Sequence, residues 1–270
     1  YSYCTVYDTV YRKKIQGDWR KKMINDIHLG PLTIHLYGVM VAIGYMSALL
    51  ISEHRAKKQG LNPDILFGIF WCAVIGGAVG SKLLYYTVNI KDILRDPSIL
   101  WNLQNGWVVY GGIIGGVVSG LGYCHYKKVD FLRYLDLVLP AVAFAQGCGR
   151  MGCFFSGCCY GRETDSVFSI QYWQSDYAPN GVKLIPTQIY SSIGDFAMAF
   201  ILMIYAKREP KKGKVTAVYC ILYSIGRFII EIFRNDYRGA FGILSTSQLI
   251  SIFILILGIV VFLWAEKRTV

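Results

Sequence analysis

Residues 246–265 read TSQLISIFILILGIVVFLWA, a run of 20 residues without a single charged side chain. A helix that crosses a membrane needs about 20 mostly apolar residues, so this run predicts a transmembrane helix. Six further runs have a similar apolar character: 33–52, 65–88, 107–126, 133–149, 187–206 and 214–233. The sequence therefore predicts an all-α integral membrane protein with about seven transmembrane helices.

The composition supports a membrane protein. Hydrophobic residues make up 54% of the 270 residues without counting the 28 glycines, whereas soluble domains average roughly 45–50% with glycine included. The net charge of +11 is compatible with nucleic acid or with anionic lipid, and the apolar runs favour lipid. We expect no nucleic-acid partner. Because the first apolar run begins near residue 33, behind a basic segment, we also expect no cleavable signal peptide.

The distribution of lysine and arginine predicts the orientation. Short loops near 55–58, 127–133 and 207–214, and the end of the chain, are rich in these cations, which marks the cytoplasmic side. We therefore expect an outside N-terminus, a cytoplasmic C-terminus and an outside loop over 150–186. The basic segment 1–28 is predicted to lie on anionic headgroups, ahead of one polytopic domain over 29–270.

Several polar side chains fall within or beside the predicted spans, where ionisable groups are costly and suggest function. They are His35, Tyr37, Lys82, Arg150, Arg227, Glu231 and Arg234. The spacings of four and three predict that the last three share one helical face. Arg227 and Glu231 could simply form an ion pair that stabilises helix packing. Alternatively, Arg150, Arg227 and Arg234 converge at the outer surface and bind a lipid phosphate through their planar guanidinium groups.

Glycines are concentrated in two places. Gly76 and Gly80 in one span, and Gly111 and Gly115 in the next, are spaced to let helices approach closely. The second concentration is the stretch GCGRMGCFFSGCCYG at 147–161, where glycines are denser than helix packing needs. This density predicts a break in the helix, with backbone donors facing a cavity.

Four cysteines lie in the same stretch: Cys148, Cys153, Cys158 and Cys159. Their spacing matches no common zinc pattern, and no histidine is near. A metal site stays open beside three other interpretations. An outer location favours a disulfide, a thiol beside Arg150 is a candidate nucleophile, and buried thiols can serve as inert packing.

Five short motifs, in order along residues 29–265, resemble those of bacterial prolipoprotein diacylglyceryl transferases. The stretch GRMGCFFSGCCYG at 149–161 resembles the family signature G-R-x-G-N-F-x-N-x-E-x-x-G. The other four are GPLTIHLYG at 30–38, YGGIIGG at 110–116, IPTQIY at 185–190 and RFIIEIFR at 227–234. The chain departs from the family pattern where Tyr110 replaces a histidine, Cys153 an asparagine, Ser156 a second asparagine, Cys158 a glutamate and Ile185 a second histidine.

The resemblance implies an enzyme of the bacterial cytoplasmic membrane that needs neither a cofactor nor a metal. Such an enzyme transfers the diacylglyceryl group of phosphatidylglycerol to a prolipoprotein cysteine at the outer face and releases glycerol phosphate. By resemblance, the catalytic residues are Arg150, Arg227 and Tyr110. The expected substrate-binding residues are His35, Tyr37, Lys82, Cys153, Gly161, Gln188, Tyr190, Glu231 and Arg234.

Two other functions are compatible with the sequence. An enzyme of this fold could move a glyceryl or phosphoglyceryl unit to a different acceptor. A non-enzymatic anion or lipid transporter could also contain an arginine-lined site, although transporters usually show paired broken helices and this sequence suggests one break. The sequence does not identify the acceptor, the general base or the oligomeric state.

Overall fold

The computed structural model describes residues 26–29, 32–101, 106–173, 175–208, 210–235, 240–241 and 244–267. Helices dominate these ranges, with a short 3₁₀ helix at Pro97–Trp101. The α-helices are α1 (Leu36–Lys58), α2 (Pro63–Val88), α3 (Ile90–Arg95), α4 (Val109–Tyr126), α5 (Phe131–Ser156), α6 (Thr187–Ala206), α7 (Lys214–Phe233) and α8 (Thr246–Lys267).

Six of the described helices, α1, α2, α5, α6, α7 and α8, are long and apolar enough to cross a membrane. Large apolar side chains on them are exposed, such as Trp71 (61%) and Phe253 (64%), as expected for surfaces that face lipid. The prediction of an all-α integral membrane protein is confirmed. The predicted third span forms α4, which is not among the six. The total of seven spans and the orientation of the termini stay predictions.

The described residues fall into two compact units, one of 56–131 and one of 26–55 with 132–267. The division into a basic segment 1–28 and a membrane domain 29–270 stays a prediction. Residues 1–25 of that segment lie outside the described residues.

In the unit of 56–131, α2 and α4 pack against each other through glycines. A Cβ atom on Gly80 would overlap the Gly111 carbonyl, and one on Gly115 would overlap the Gly76 carbonyl. The Ser119 hydroxyl donates across the same interface to the Cys72 carbonyl at 2.7 Å. The predicted role of these glycines in close helix approach is confirmed.

In the other unit, α5, α6 and α7 share a core around Ala143, Met198, Leu202 and Val215. The start of α7 is fixed by Asp136 on α5. Its carboxylate accepts from the Gly213 amide at 2.5 Å and from the Thr216 amide at 2.7 Å. These bonds satisfy donors that the first turn of a helix leaves unpaired.

Strands are few and short in the described ranges. They form three antiparallel pairs: β1 (Asp26–Leu29) with β2 (Leu32–His35), β3 (Ile170–Gln171) with β4 (Lys183–Leu184), and β5 (Ala240–Phe241) with β6 (Leu244–Ser245). The second pair lies in the long connection between α5 and α6. There Tyr172, Ala178 and Leu184 form a small buried core.

The helix break was predicted within the glycine-rich stretch of the fourth span, and its predicted position is wrong. Helix α5 continues through Gly147, Gly149 and Gly152 and ends at Ser156, before Gly157 with a φ of +72°. Two of these glycines serve packing. A Cβ on Gly147 would lie 2.6 Å from the Phe196 ring, and one on Gly152 would lie 3.1 Å from Tyr37. An unbroken helix also keeps the backbone hydrogen bonds satisfied at membrane depth.

Candidate active site

A cavity of about 220 Å³ opens between α5, α6 and α7. Arg150 of α5, Asp195 of α6 and Arg227 of α7 line it, with Tyr190 and Ser191 at the start of α6. The remaining lining is small or apolar: Gly194, Ala197, Met198, Ile201, Leu222, Tyr223, Gly226 and Ile230. Two arginines against one aspartate give the wall a net positive charge, as an anion site requires.

Arg227 is held in place by its neighbours. Its Nη2 atom lies 2.9 Å from Oε2 of Glu231, one helical turn further on, and donates to Oγ of Ser247 at 2.9 Å. The Arg227 and Glu231 side chains are only 9% and 7% exposed. Oε1 of Glu231 accepts from the Ser245 hydroxyl at 3.1 Å. The predicted ion pair is therefore present and buried.

One nitrogen of the Arg227 guanidinium group lacks a hydrogen-bond partner among the described residues. Its Nη1 atom is buried and has no hydrogen-bond partner within the part of the chain that the structure describes. A buried donor without a partner is costly, and a catalytic role or a bound water or ion can explain it. Arg227 thus uses one side of its guanidinium for positioning and keeps the other side available.

Asp195 lies within electrostatic range of both Arg150 and Arg227. Arg150 and Arg234 are likewise within electrostatic range of Arg227. Arg150 and Arg227 both line the cavity, whereas Arg234 does not. The predicted convergence of all three arginines on one phosphate stays a prediction. Asp195 and Glu231 place negative charge beside these arginines and so reduce their mutual repulsion.

The spacing predicted that Arg234 shares a helical face with Arg227 and Glu231, and this prediction is wrong. Helix α7 ends at Phe233, and Arg234 follows in an extended conformation, forming a backbone bridge with Gly161. The Arg162 amide donates to the Phe233 carbonyl at 2.9 Å beside this bridge. The turn after α5 and the end of α7 are therefore joined near the cavity, with the Arg234 residue buried.

Three of the four cysteines of the 147–161 stretch come together. The sulfur atoms of Cys153, Cys158 and Cys159 lie within 4.8 Å of one another. Hydrogen bonds with the Cys153 and Cys159 thiols, and then burial, raise the pKa of Cys158. Cys148 is not part of this group and is buried within α5. No disulfide joins two cysteines within the described ranges.

The family model of prolipoprotein diacylglyceryl transferase matches residues 25–264. The chain belongs to this family. A phosphatidylglycerol–prolipoprotein diacylglyceryl transferase of Clostridium tetani is 48% identical over 231 residues, which is 86% of this chain and 93% of the relative. One from Clostridium perfringens is 47% identical, with 86% and 91% covered, and one from Vibrio parahaemolyticus is 32% identical, with 90% of each covered.

Other residues predicted from the transferase motifs surround the cysteine group. The Tyr37 ring packs near Gly152, and its hydroxyl lies within electrostatic range of Arg150 and Cys153. Gln188 is buried, and its side chain donates to the Cys158 carbonyl at 2.7 Å. Gly161 faces the Ile185 carbonyl so closely that a Cβ would lie 2.7 Å from it. These positions suggest that Gln188 and Gly161 shape the turn that follows α5.

For three further predicted residues of this member of the transferase family, the structure gives the local surroundings. His35 is the last residue of β2 and is exposed. Lys82 and Tyr110 belong to the unit of 56–131. Lys82 is buried, and its Nζ atom lies 4.9 Å from the centroid of the Trp107 ring. Tyr110 lies at the start of α4. Their roles toward a substrate stay predictions.

Asp195 lies in the cavity wall but is not one of the motif residues. An aspartate inside the apolar run 187–206 is a signal of the same kind as Arg150, because an ionisable group at membrane depth suggests function. Ser245 and Ser247, which hold Glu231 and Arg227, are not motif residues either. No sequence signal identifies these serines, because their role depends on how α8 packs against α7.

Proposed function

We propose that this protein transfers the diacylglyceryl group of phosphatidylglycerol to a cysteine thiol of a prolipoprotein, with release of glycerol phosphate. The observation that carries the proposal is the positive cavity in which Arg150 and Arg227 converge and Arg227 keeps a buried donor without a partner among the described residues. The relatives named above support the substrates, since their names specify phosphatidylglycerol and prolipoprotein.

The chemistry requires stabilisation of a leaving phosphate. The thiol sulfur forms a bond to the glyceryl carbon, and the bond from that carbon to the phosphate oxygen breaks. Glycerol phosphate leaves with the bonding electrons, so negative charge grows on the phosphate. Guanidinium donors fixed before the reaction stabilise such charge more in the transition state than in the ground state. Arg150 and Arg227 are proposed for this role.

The thiol must also lose its proton. Asp195 is the carboxylate in the cavity wall, and we assign it the role of proton acceptor. A positioned base of this kind typically contributes about 10²–10⁴-fold to the rate. The sequence-based alternative is Tyr110. The turnover number of Asp195→Asn should therefore fall more than that of Tyr110→Phe, and the opposite order would return the role to Tyr110.

The test uses the full-length protein in nanodiscs containing labelled phosphatidylglycerol, with a peptide that carries a lipoprotein cysteine. Arg150→Ala and Arg227→Ala should abolish both glycerol phosphate release and peptide modification while the protein still inserts. Arg162→Ala is the matched control, because Arg162 is exposed and does not line the cavity. Full activity in either cavity variant, or turnover only with an acceptor other than the peptide, would overturn the proposal.

We also propose that the protein lies in the bacterial cytoplasmic membrane with the cavity toward the outer side. Phe168 and Lys207 provide the test, because both are exposed. Phe168 lies in the connection that leads into the start of α6, and Lys207 directly follows the end of α6. Phe168→Cys should react with a membrane-impermeant maleimide in intact cells, and Lys207→Cys should react only after lysis. Each is compared with the unchanged chain, and the reverse pattern would invert the orientation.

A further inference from the structure

The end of α5 and the turn that follows it gather three thiols into one group. Cys153 lies in the last turn of α5, and Cys158 and Cys159 follow the helix. All three sulfur atoms lie within 4.8 Å of one another, and the thiol of Cys158 also donates to the Cys153 carbonyl at 3.8 Å. The three side chains are half-buried, so the group is partly shielded and still partly accessible.

Unusual backbone conformations produce this arrangement. Gly157 and Cys159 both have φ in the left-handed region, at +72° and +61°. This conformation costs little for glycine, whereas for a cysteine it is strained and persists only where the surroundings enforce it. A Cβ on Gly157 would also collide with Ser175, so only glycine fits there.

Buried side chains hold the turn in this conformation. The Gln188 amide donates to the Cys158 carbonyl and the Thr187 hydroxyl donates to the Cys159 carbonyl, each at 2.7 Å. Gln188 and Thr187 are both only 1% exposed. The sulfur atoms are therefore positioned by the fold rather than by chance contact of flexible side chains.

We propose that Cys153, Cys158 and Cys159 form a binding site for one thiophilic metal ion, with Zn²⁺ as the best match. Zinc binds cysteine sulfur at about 2.3 Å in tetrahedral geometry, which corresponds to sulfur atoms about 3.8 Å apart. The three sulfur atoms lie at most 4.8 Å apart, so binding would require them to move closer to one another by up to about 1 Å. A water molecule or another ligand completes the fourth position, and the metal replaces the thiol protons.

Three mutually adjacent sulfurs favour a metal over a disulfide, which joins two sulfurs and leaves the third unused. A bound ion would tie the last turn of α5 to the turn after it. Arg150 lies one helical turn before Cys153 and within electrostatic range of it, so the metal would stiffen the segment that presents Arg150 to the cavity. The metal site itself does not depend on the transferase activity.

The test measures metal binding by the full-length protein in nanodiscs, kept reduced and first stripped with a chelator. Titration with Zn²⁺ should give one bound ion per chain by elemental analysis, and Co²⁺ should give sulfur-to-cobalt charge-transfer absorption. Cys153→Ala, Cys158→Ala and Cys159→Ala should each weaken zinc binding by more than the roughly 10–100-fold that loss of an outer-shell partner costs.

Cys72→Ala and Cys220→Ala are the matched controls, because these thiols are also half-buried but lie on α2 and α7, outside the group. Cys153→His distinguishes loss of a metal ligand from misfolding. It keeps a ligand at this position, so it should retain zinc while weakening the cobalt–sulfur absorption. Equal zinc binding in cluster and control variants would overturn the proposal. So would intact masses showing that two of the three cysteines form a disulfide in the reduced, zinc-treated protein.

Discussion

Arg227 and Glu231 form a buried ion pair, and a cycle of neutral replacements separates its structural role from phosphate binding. The single change Arg227→Gln leaves the Glu231 carboxylate buried without its cation. Breaking a buried pair in this way costs about 3–5 kcal/mol. We expect a loss near 3 kcal/mol in the free energy of unfolding, because the Ser245 hydroxyl still donates to Glu231.

The double variant Arg227→Gln, Glu231→Gln removes both charges and leaves two amides of similar size. Replacing a whole buried pair is often nearly neutral, so we expect stability to return to within about 1 kcal/mol of the unchanged chain. Activity should not return, because the guanidinium that stabilises the leaving phosphate is gone. Loss of one such donor typically lowers turnover about 10²–10³-fold.

The assay combines unfolding in nanodiscs with glycerol phosphate release from labelled phosphatidylglycerol. Glu231→Gln is the third member of the cycle and keeps the guanidinium. It should retain more activity than either variant that lacks Arg227. Recovery of turnover in the double variant would refute the reasoning, since it would show that the ion pair serves packing alone.

Other changes test the local structure around the site. Gly161→Ala should lower the free energy of unfolding by about 1–3 kcal/mol, since its Cβ would meet the Ile185 carbonyl. Gly149→Ala should not, because among the described residues no atom outside its own helical backbone lies within 4 Å of its Cβ position. Asp136→Ala should cost about 1–2 kcal/mol by uncapping α7, and thermal unfolding measures both effects. Gly80→Leu should separate α2 from α4 and reduce the yield of folded protein, and wild-type yield would contradict the close packing.

The membrane class and most helix bounds followed from the sequence. The apolar runs 187–206 and 214–233 coincide with α6 and α7, because helices exposed to lipid must be apolar along their length and must satisfy their own backbone. The family also followed from short motifs in order, since Arg150 and Arg227 stand at motif positions that can be read without a structure.

The sequence failed where contacts between distant segments decide the outcome. Gly147 and Gly152 were expected to break a helix, yet they pack against Phe196 and Tyr37, which no local pattern reveals. Arg234 was placed on a helical face by its spacing, but the helix ends one residue earlier and the chain bridges to Gly161.

By itself, the sequence determined that this chain crosses the membrane repeatedly and belongs to a lipid-modifying transferase family, because hydropathy and motif order are properties of the linear chain. Only the tertiary structure decided which charged groups share a cavity, and it added Asp195 to the two arginines. It also decided that Cys153, Cys158 and Cys159 converge while Cys148 does not. Convergence depends on where helices end and how turns fold back, and both are set by packing between segments far apart in sequence.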